Sequence, residues 1–303
     1  MNNNAIQKIG VIGLGAMGMG IAQSLIREGI PTYGFDLNAK ACEQLKQIGA
    51  IGVADSAAQW CQELDVLLLV VVNSVQIEHI LFGGEKPLVN QLKAGTTVVL
   101  HSTVSAEQAR GFASRLHECH IKMLDAPISG GPQKATKGQL TVMASGSSEL
   151  FEQLKPVFDV ISERLYYIGS EIGQGSTVKM IHQLLAGVHI AVAAESMALA
   201  AKADIPLDLM YDVVTHAAGN SWMFENRVPH ILSGDYTPKS SVDIFVKDLG
   251  IVLEAGKTMK FPLPMAATAH QMFLAASNEG LGQWDDSAVI KTFKGITLPE
   301  SKS

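Results

Sequence analysis

A β-branched run, Lys8 to Ile12, leads without a spacer into Gly13-Leu14-Gly15-Ala16-Met17-Gly18, and that glycine cluster opens directly into a segment of helical periodicity. Strand, glycine turn and helix in this order leave few folds open. The first glycine permits a tight turn, the second lets the backbone approach a pyrophosphate, and the third lets the helix pack closely on the strand. The helix N-terminus adds N–H donors and the positive end of its dipole. Asp36 closes the next predicted strand eighteen residues past Gly18. A carboxylate there can accept from the ribose hydroxyls of an adenosine and would repel a 2'-phosphate. The pattern predicts a dinucleotide site made by Gly13, Leu14, Gly15, Ala16, Met17, Gly18 and Asp36, with NAD preferred to NADP. The competing reading is a turn that binds nothing, with Asp36 as a helix N-cap.

The rest of the first half repeats the alternation. Pro31 to Asp36, Val66 to Val72, Thr96 to Leu100 and Ile121 to Leu124 read as further strands, separated by helix-length segments. Gln139 to Ala144 and Arg164 to Ile168 follow, with a helix over Ser148 to Val160 between them. Strands apolar on both faces and joined by helices imply a doubly wound parallel sheet, an α/β Rossmann domain over residues 1–170. After Gly169 the alternation stops. Helical periodicity then runs on, broken at Asp204 to Pro206, Gly219-Asn220, Gly234 to Pro238 and Phe261 to Pro264, which predicts an all-helical domain over residues 171–303. Leu298 to Ser303 reads as a frayed tail.

Composition narrows the functional classes. The 303 residues are 47% hydrophobic and 17% charged, with a net charge of -6 and no concentrated basic run, so nucleic acid is not expected as a partner. Cys42, Cys61 and Cys119 are odd in number and scattered, giving neither a disulfide framework nor a paired metal-ligand spacing. His117, Cys119 and His120 lack a second ligand pair, and His182 and His189 lack a carboxylate at ligand spacing, so no metal is predicted. The start of the chain lacks a charged segment followed by an apolar one, and Val66 to Val72 is too short to span a bilayer. Leu184 to Ala201 is longer but contains His189 and Glu195, which favours a buried helix of a cytoplasmic protein over a membrane span. Its apolar length exceeds what one helical domain can cover, so a homodimer or homotetramer is expected. Trp222, Met223 and Phe224 could line a pocket, but core packing is the favoured reading.

Two further blocks carry chemistry. Gly173-Gln-Gly-Ser-Thr-Val-Lys179-Met-Ile-His182-Gln183 sets an amine, an imidazole and an amide at helical spacing, where neighbours three and four apart meet. Desolvation at such a position favours the neutral form of a lysine and suits it to proton transfer. The alternative is a solvated lysine at a helix start. Asp125-Ala-Pro-Ile-Ser129-Gly130-Gly131 follows a predicted strand, and its glycine pair can expose consecutive backbone N–H groups to an anion such as a substrate carboxylate. A purely structural loop is the alternative.

These blocks, in this order and over nearly the whole chain, resemble the β-hydroxyacid dehydrogenases, the 3-hydroxyisobutyrate dehydrogenase-like family; Phe245-Val-Lys247-Asp248-Leu supplies a fourth block. The resemblance implies a Rossmann domain followed by a helical domain, with Lys179 as the catalytic general acid/base. It implies that Ser129, Gly130 and Gly131 grip the substrate carboxylate, that Ser102 and Thr103 approach the nicotinamide, and that Lys247 lies near the cofactor with support from Asp248. The reaction implied is hydride transfer from a hydroxy acid carbon to NAD. One departure stands out: many members carry Lys-x-x-Asn-Asn where this chain has Lys179-Met-Ile-His182-Gln183. The family asparagine bonds substrate, so His182 and Gln183 become candidate substrate contacts that can address an extra hydroxyl. In this respect the chain is similar to members that oxidise a four-carbon sugar acid at C2. Members acting on 3-hydroxyisobutyrate or tartronate semialdehyde are the nearest alternative, and a non-catalytic NAD-binding redox sensor is the alternative outside the enzymes. His182 as a structural histidine bonded to the backbone stays open.

Overall fold

The computed structural model describes residues 8–53 and 56–301. The reading of the first residues as lacking a leader, and the last two residues of the expected tail, lie outside the described part. The chain separates into two compact units, Met1–Lys179 and Met180–Ser303.

The first unit contains β1 (Ile9–Ile12), α1 (Ala16–Arg27), β2 (Thr32–Phe35), α2 (Ala39–Ile48), β3 (Gly52–Val53), β4 (Val66–Leu69), α3 (Ser74–Phe82), β5 (Thr97–Leu100), α4 (Ala106–Glu118), β6 (Lys122–Asp125), β7 (Ile128–Ser129), α5 (Gly131–Lys137), β8 (Leu140–Ser145), α6 (Ser148–Ile161) and β9 (Ser162–Gly169). The strands lie in the order β3-β2-β1-β4-β5-β6-β8-β7, with β9 paired to β8. From β3 to β6 every pairing is parallel. Each central strand is apolar on both faces because both faces are covered. Ile9, Val11, Val66, Leu68 and Val99 pack with Leu25 of α1 and Leu154 and Phe158 of α6. Ile12, Leu67, Leu69, Val98 and Leu100 pack with Ile77 of α3 and Phe112 and Leu116 of α4. Strand order reverses at β1, with β2 on one side and β4 on the other, so the β1–α1 turn opens at the switch point where such sheets bind ligands.

The far edge departs from the expected all-parallel sheet. β8 runs antiparallel to β6 and β7, and only β9 returns to a parallel pairing with it. The connection from β7 to β8 holds one seven-residue helix, α5, too short for the dozen or more residues of a parallel crossover, so the chain turns back. β7 has two residues and shows no period in the sequence.

The second unit is helical. α7 (Gln174–Lys202) carries the chain into it, followed by α8 (Leu207–Thr215), α9 (Trp222–Ser233), α10 (Val242–Met259) and α11 (Pro264–Ala276). The four expected breaks separate these helices, the last of them ending on Pro264, the first residue of α11. The core gathers Ile190, Ala194 and Met197 of α7, Phe224 and Val228 of α9, Phe245 and Leu249 of α10 and Phe273 of α11. Leu184 to Ala201 lies in a core helix as expected, with Ile190, Ala194 and Met197 buried, and one apolar stripe stays uncovered: Leu185, Val192 and Leu199, with Ile181 just before them, are 49–68% exposed. Met223 and Phe224 pack in the core as favoured, whereas Trp222 is exposed. The expected fraying also fails at its start. Leu298 packs on the helical core, and a side chain at Gly234 would meet Pro299, Glu300 and Ser301 within 2.8 Å.

A buried polar network ties this unit together. Arg227 of α9 forks onto Asp286, Nε to Oδ1 at 2.5 Å and Nη2 to Oδ2 at 3.0 Å. His230, one turn on, bonds Asp285 at 2.8 Å, and the Ser287 hydroxyl donates to the same carboxylate at 2.6 Å.

Candidate active site

The glycine turn does in space what its spacing requires. Gly13 has φ +94°, and a Cβ there would lie 2.4 Å from the Val70 carbonyl oxygen. A Cβ on Gly18 would lie 1.8 Å from the Gly13 oxygen, so the first turn of α1 rests on the loop itself. Gly15 is different: nothing stands within 4 Å of where its Cβ would be. Its backbone faces open space, and as N-cap of α1 it offers no side chain to the first N–H groups, with no acidic residue in that turn. An uncapped helix end beside a bare backbone fits a pyrophosphate.

Asp36 lies at the end of β2 and binds this loop directly. Its Oδ2 accepts from Leu14 N at 2.7 Å and its Oδ1 from Asn38 N at 2.8 Å. The N-cap of α2 is Asn38, whose side chain accepts from Lys40 N. Asp36 is therefore not that cap. Leu14 is buried, Met17 packs against the core, and Ala16 is exposed beside Gly15. The residues fit a dinucleotide, with a bare turn for phosphates and a carboxylate at the strand end for a ribose.

Across the switch point, the Ser102 hydroxyl accepts from Val71 N at 3.1 Å and donates to Leu69 O at 3.4 Å, joining the ends of β4 and β5 just ahead of Thr103. His101 is buried with Nδ1 bonded to Ala126 O at 2.6 Å, and burial pushes its pKa down to about 4, so it stays neutral.

The Ser129–Gly131 block is a strand end turning into a helix, where a loop was expected. Gly130 has φ +137° and Gly131 φ +80°, and open space surrounds the position of a Gly131 Cβ. α5 is tied to α1, since Ser24 Oγ donates to Ala135 O at 2.9 Å and a Cβ on Gly20 would strike Ala135 at 2.7 Å. The helix behind the glycine turn and the helix behind the Ser129 block are thus packed directly on each other.

Lys179 is 5% exposed, which removes the solvated-lysine reading. The turn that precedes it joins two of the blocks singled out in the sequence, through Ser145, which was not. Gly173 has φ +96°, and a Cβ on Gly175 would lie 2.4 Å from Met143 O and 2.9 Å from Asp125 O, so the start of α7 lies directly on the ends of β8 and β6. The buried Asp125 carboxylate accepts from Gly173 N at 3.0 Å, Ser176 N at 2.8 Å, Ser176 Oγ at 2.7 Å and Ser145 Oγ at 3.2 Å. Ser145 Oγ in turn accepts from Gly175 N at 2.9 Å.

In the second unit the polar residues of α7 and α10 form a relay. Gln183 Nε2 donates to Asp248 Oδ2 at 2.6 Å, and Lys247 Nζ donates to Asp248 Oδ1 at 2.5 Å. Asp248 is 2% exposed. An ionised carboxylate only accepts, so Gln183 must turn its amide nitrogen to it and present Oε1 to His182 Nδ1, 2.9 Å away. His182 then carries its proton on Nδ1, in an exposed imidazole oriented by the Gln183 side chain. A groove of about 470 Å³ lined by Ala201, Ile205, Leu207, Leu232 and Leu298 contains none of these residues.

A doubly wound sheet with a bare glycine turn at its switch point, followed by a helical unit, defines a nicotinamide dinucleotide-dependent oxidoreductase. Residues 8–169 match the family described as the NAD binding domain of 6-phosphogluconate dehydrogenase, and residues 173–293 match that described as NAD-binding of NADP-dependent 3-hydroxyisobutyrate dehydrogenase. The chain belongs to the 3-hydroxyisobutyrate dehydrogenase-like family of β-hydroxyacid dehydrogenases. It is 58% identical to an L-threonate dehydrogenase of Escherichia coli (strain K12), with 97% of each chain covered. An L-threonate dehydrogenase of Cupriavidus necator is 50% identical, over 97% of this chain and 98% of the relative. Among solved structures, a protein described as 3-hydroxyisobutyrate dehydrogenase from Salmonella typhimurium superposes with a TM-score of 0.90 at 55% identity, covering 94% of this chain and 99% of that one.

Proposed function

We propose that this protein is an NAD-dependent L-threonate dehydrogenase that oxidises C2 of the four-carbon sugar acid to the 2-oxo acid, with Lys179 as general base. Identity to L-threonate dehydrogenases at 50–58% over the full length supports the substrate, and the burial of Lys179 one turn beyond a fixed helix start is the observation that carries the mechanism. Bound NAD supplies the hydride acceptor. The protein's own residues do the rest: Lys179 takes the C2 hydroxyl proton, while the Ser129, Gly130 and Gly131 block holds the carboxylate. His182 bonds a further hydroxyl of the substrate, its orientation set through Gln183 and Asp248. Asp36 receives the adenosine ribose, Thr103 and Lys247 contact the cofactor, and the glycine turn receives the pyrophosphate. Residues 1–170 form the NAD-binding domain and residues 171–303 the substrate and oligomerisation domain. The exposed stripe of Ile181, Leu185, Val192 and Leu199, at helical spacing, supports a homodimer or homotetramer, and the similarity to L-threonate dehydrogenases supports a cytoplasmic enzyme.

The second reading, a 3-hydroxyisobutyrate or tartronate semialdehyde type enzyme, takes its support from the description of the Salmonella structure. NADH formation across L-threonate, erythronate, 3-hydroxyisobutyrate and glycerate separates the two. The proposal expects L-threonate to give the highest kcat/KM. A preference for 3-hydroxyisobutyrate overturns it, and tight NAD binding without turnover of any hydroxy acid makes the protein a sensor.

A further inference from the structure

We propose that Asp125 is a positioning residue for the reaction: its buried carboxylate locks the first turn of α7 to the sheet and thereby fixes where Lys179 stands. This rests on the catalytic reading of Lys179 above. Four donors converge on one carboxylate, two of them backbone N–H groups of the opening turn of α7, which a helix otherwise leaves unsatisfied. Asp125 is fully buried at the end of β6 and belongs to the rigid sheet. Ser145, at the end of β8, closes the clamp by donating to Asp125 and accepting from Gly175 N. Two strand ends therefore hold one helix start. The absence of a side chain at Gly175 brings that start onto the Met143 and Asp125 carbonyls, so the clamp has no slack in which the turn could shift.

Lys179 follows Ser176 by three residues, about 4.5 Å along the axis, and helical side chains lean back toward the N-terminus. Its side chain therefore rises over the very turn that Asp125 grips. A negative group at the N-terminus of α7 also suits the helix dipole. Burial pushes the Asp125 carboxyl up from its ordinary value, against the bonds from Ser176, Ser145 and Gly173 that favour its charge. In hydride-transfer chemistry a base displaced by about 1 Å costs on the order of 10²-fold in rate.

Steady-state kinetics and NAD titration on the full-length protein test this. Asp125→Ala is expected to lower kcat with L-threonate about 10²-fold while leaving the Kd for NAD within twofold, because the glycine turn is untouched. Asp125→Asn keeps an oxygen for the Gly173 and Ser176 N–H groups and an amide for Ser176 Oγ, so it is expected to restore kcat to within about tenfold of wild type. Ser176→Ala, which removes one bond of four, should fall between wild type and Asp125→Ala. It serves if the alanine variant at position 125 does not fold. Because Asp125 acts through Lys179, Asp125→Ala combined with Lys179→Ala should be no slower than Lys179→Ala alone. Losses that multiply, or loss of NAD affinity in step with kcat, overturn the proposal and make Asp125 a general brace of the sheet. Wild-type kcat in Asp125→Ala and Ser176→Ala overturns it as well. Wild-type turnover in Lys179→Ala would instead refute the catalytic reading on which it stands.

Discussion

The two units set their functional residues in place by different means. In the first, glycine backbone leads: Gly13, Gly15 and Gly18 shape the turn, and Gly173 and Gly175 seat the start of α7 on strand ends, where the Asp125 carboxylate then holds it. In the second, pairs of polar side chains do it over long separations in sequence, Gln183 with Asp248, Arg227 with Asp286 and His230 with Asp285. The contrast predicts different failures. A glycine that touches a carbonyl tolerates no substituent, because backbone cannot step aside. A buried pair tolerates loss of one member badly for another reason, since the remaining charge stays desolvated.

The strongest break of this comparison is Gly18→Ala, whose methyl would occupy the space of the Gly13 oxygen at 1.8 Å. Loss of measurable NAD binding is expected in isothermal titration, and near-normal affinity would show that the turn adapts. In the second unit, Arg227→Ala strands Asp286, which is 0% exposed, and should lower stability by about 3–5 kcal/mol in urea unfolding. A change below about 1 kcal/mol would mean the pair contributes little beyond filling space. Acid should act on the same network. Burial opposes the charge of Asp285, but bonds from His230 and Ser287 outweigh it and hold its pKa down to about 2. A carboxyl depressed on folding stabilises above its unfolded pKa and loses that contribution as pH falls through its folded one. Between about pH 4 and pH 2 the second unit should therefore lose on the order of 2 kcal/mol that Asp285→Asn does not. Parallel acid curves for the two proteins would remove Asp285 from the account. The smallest effect is the sharpest for the cofactor. Asp36→Asn should shift the NAD to NADP ratio of kcat/KM toward NADP by about tenfold, or ~1.4 kcal/mol, as the repulsion of a 2'-phosphate is lost. An unchanged ratio would leave Asp36 only its bonds to Leu14 and Asn38.

The difference between the units also explains what could be read in advance. The alternation of strands and helices, the glycine turn and the helix breaks at Pro206, Gly219, Gly234 and Pro264 are local signals, and the elements lie where those signals predict. The antiparallel return of β8 was hidden because two-residue β7 has no period and α5 sits where glycines suggested a loop. Leu298 reads as tail because nothing local marks it as packed on the helical core. Asp125 was visible as the first residue of a motif, yet its partners Ser145, Gly173 and Ser176 lie 20 to 51 residues away in the chain, and only the sheet order brings them together. The same is true of Gln183 and Asp248, which turn His182 from a lone imidazole into the end of a side-chain relay.

Everything at this site turns on Lys179 taking the proton from the substrate hydroxyl. Initial rates of NADH formation from L-threonate by Lys179→Ala, with the Kd for NAD measured on the same sample, test it most directly. A kcat lower by about 10²- to 10⁴-fold with NAD affinity unchanged is expected; wild-type turnover in that variant would mean the proton leaves by another route.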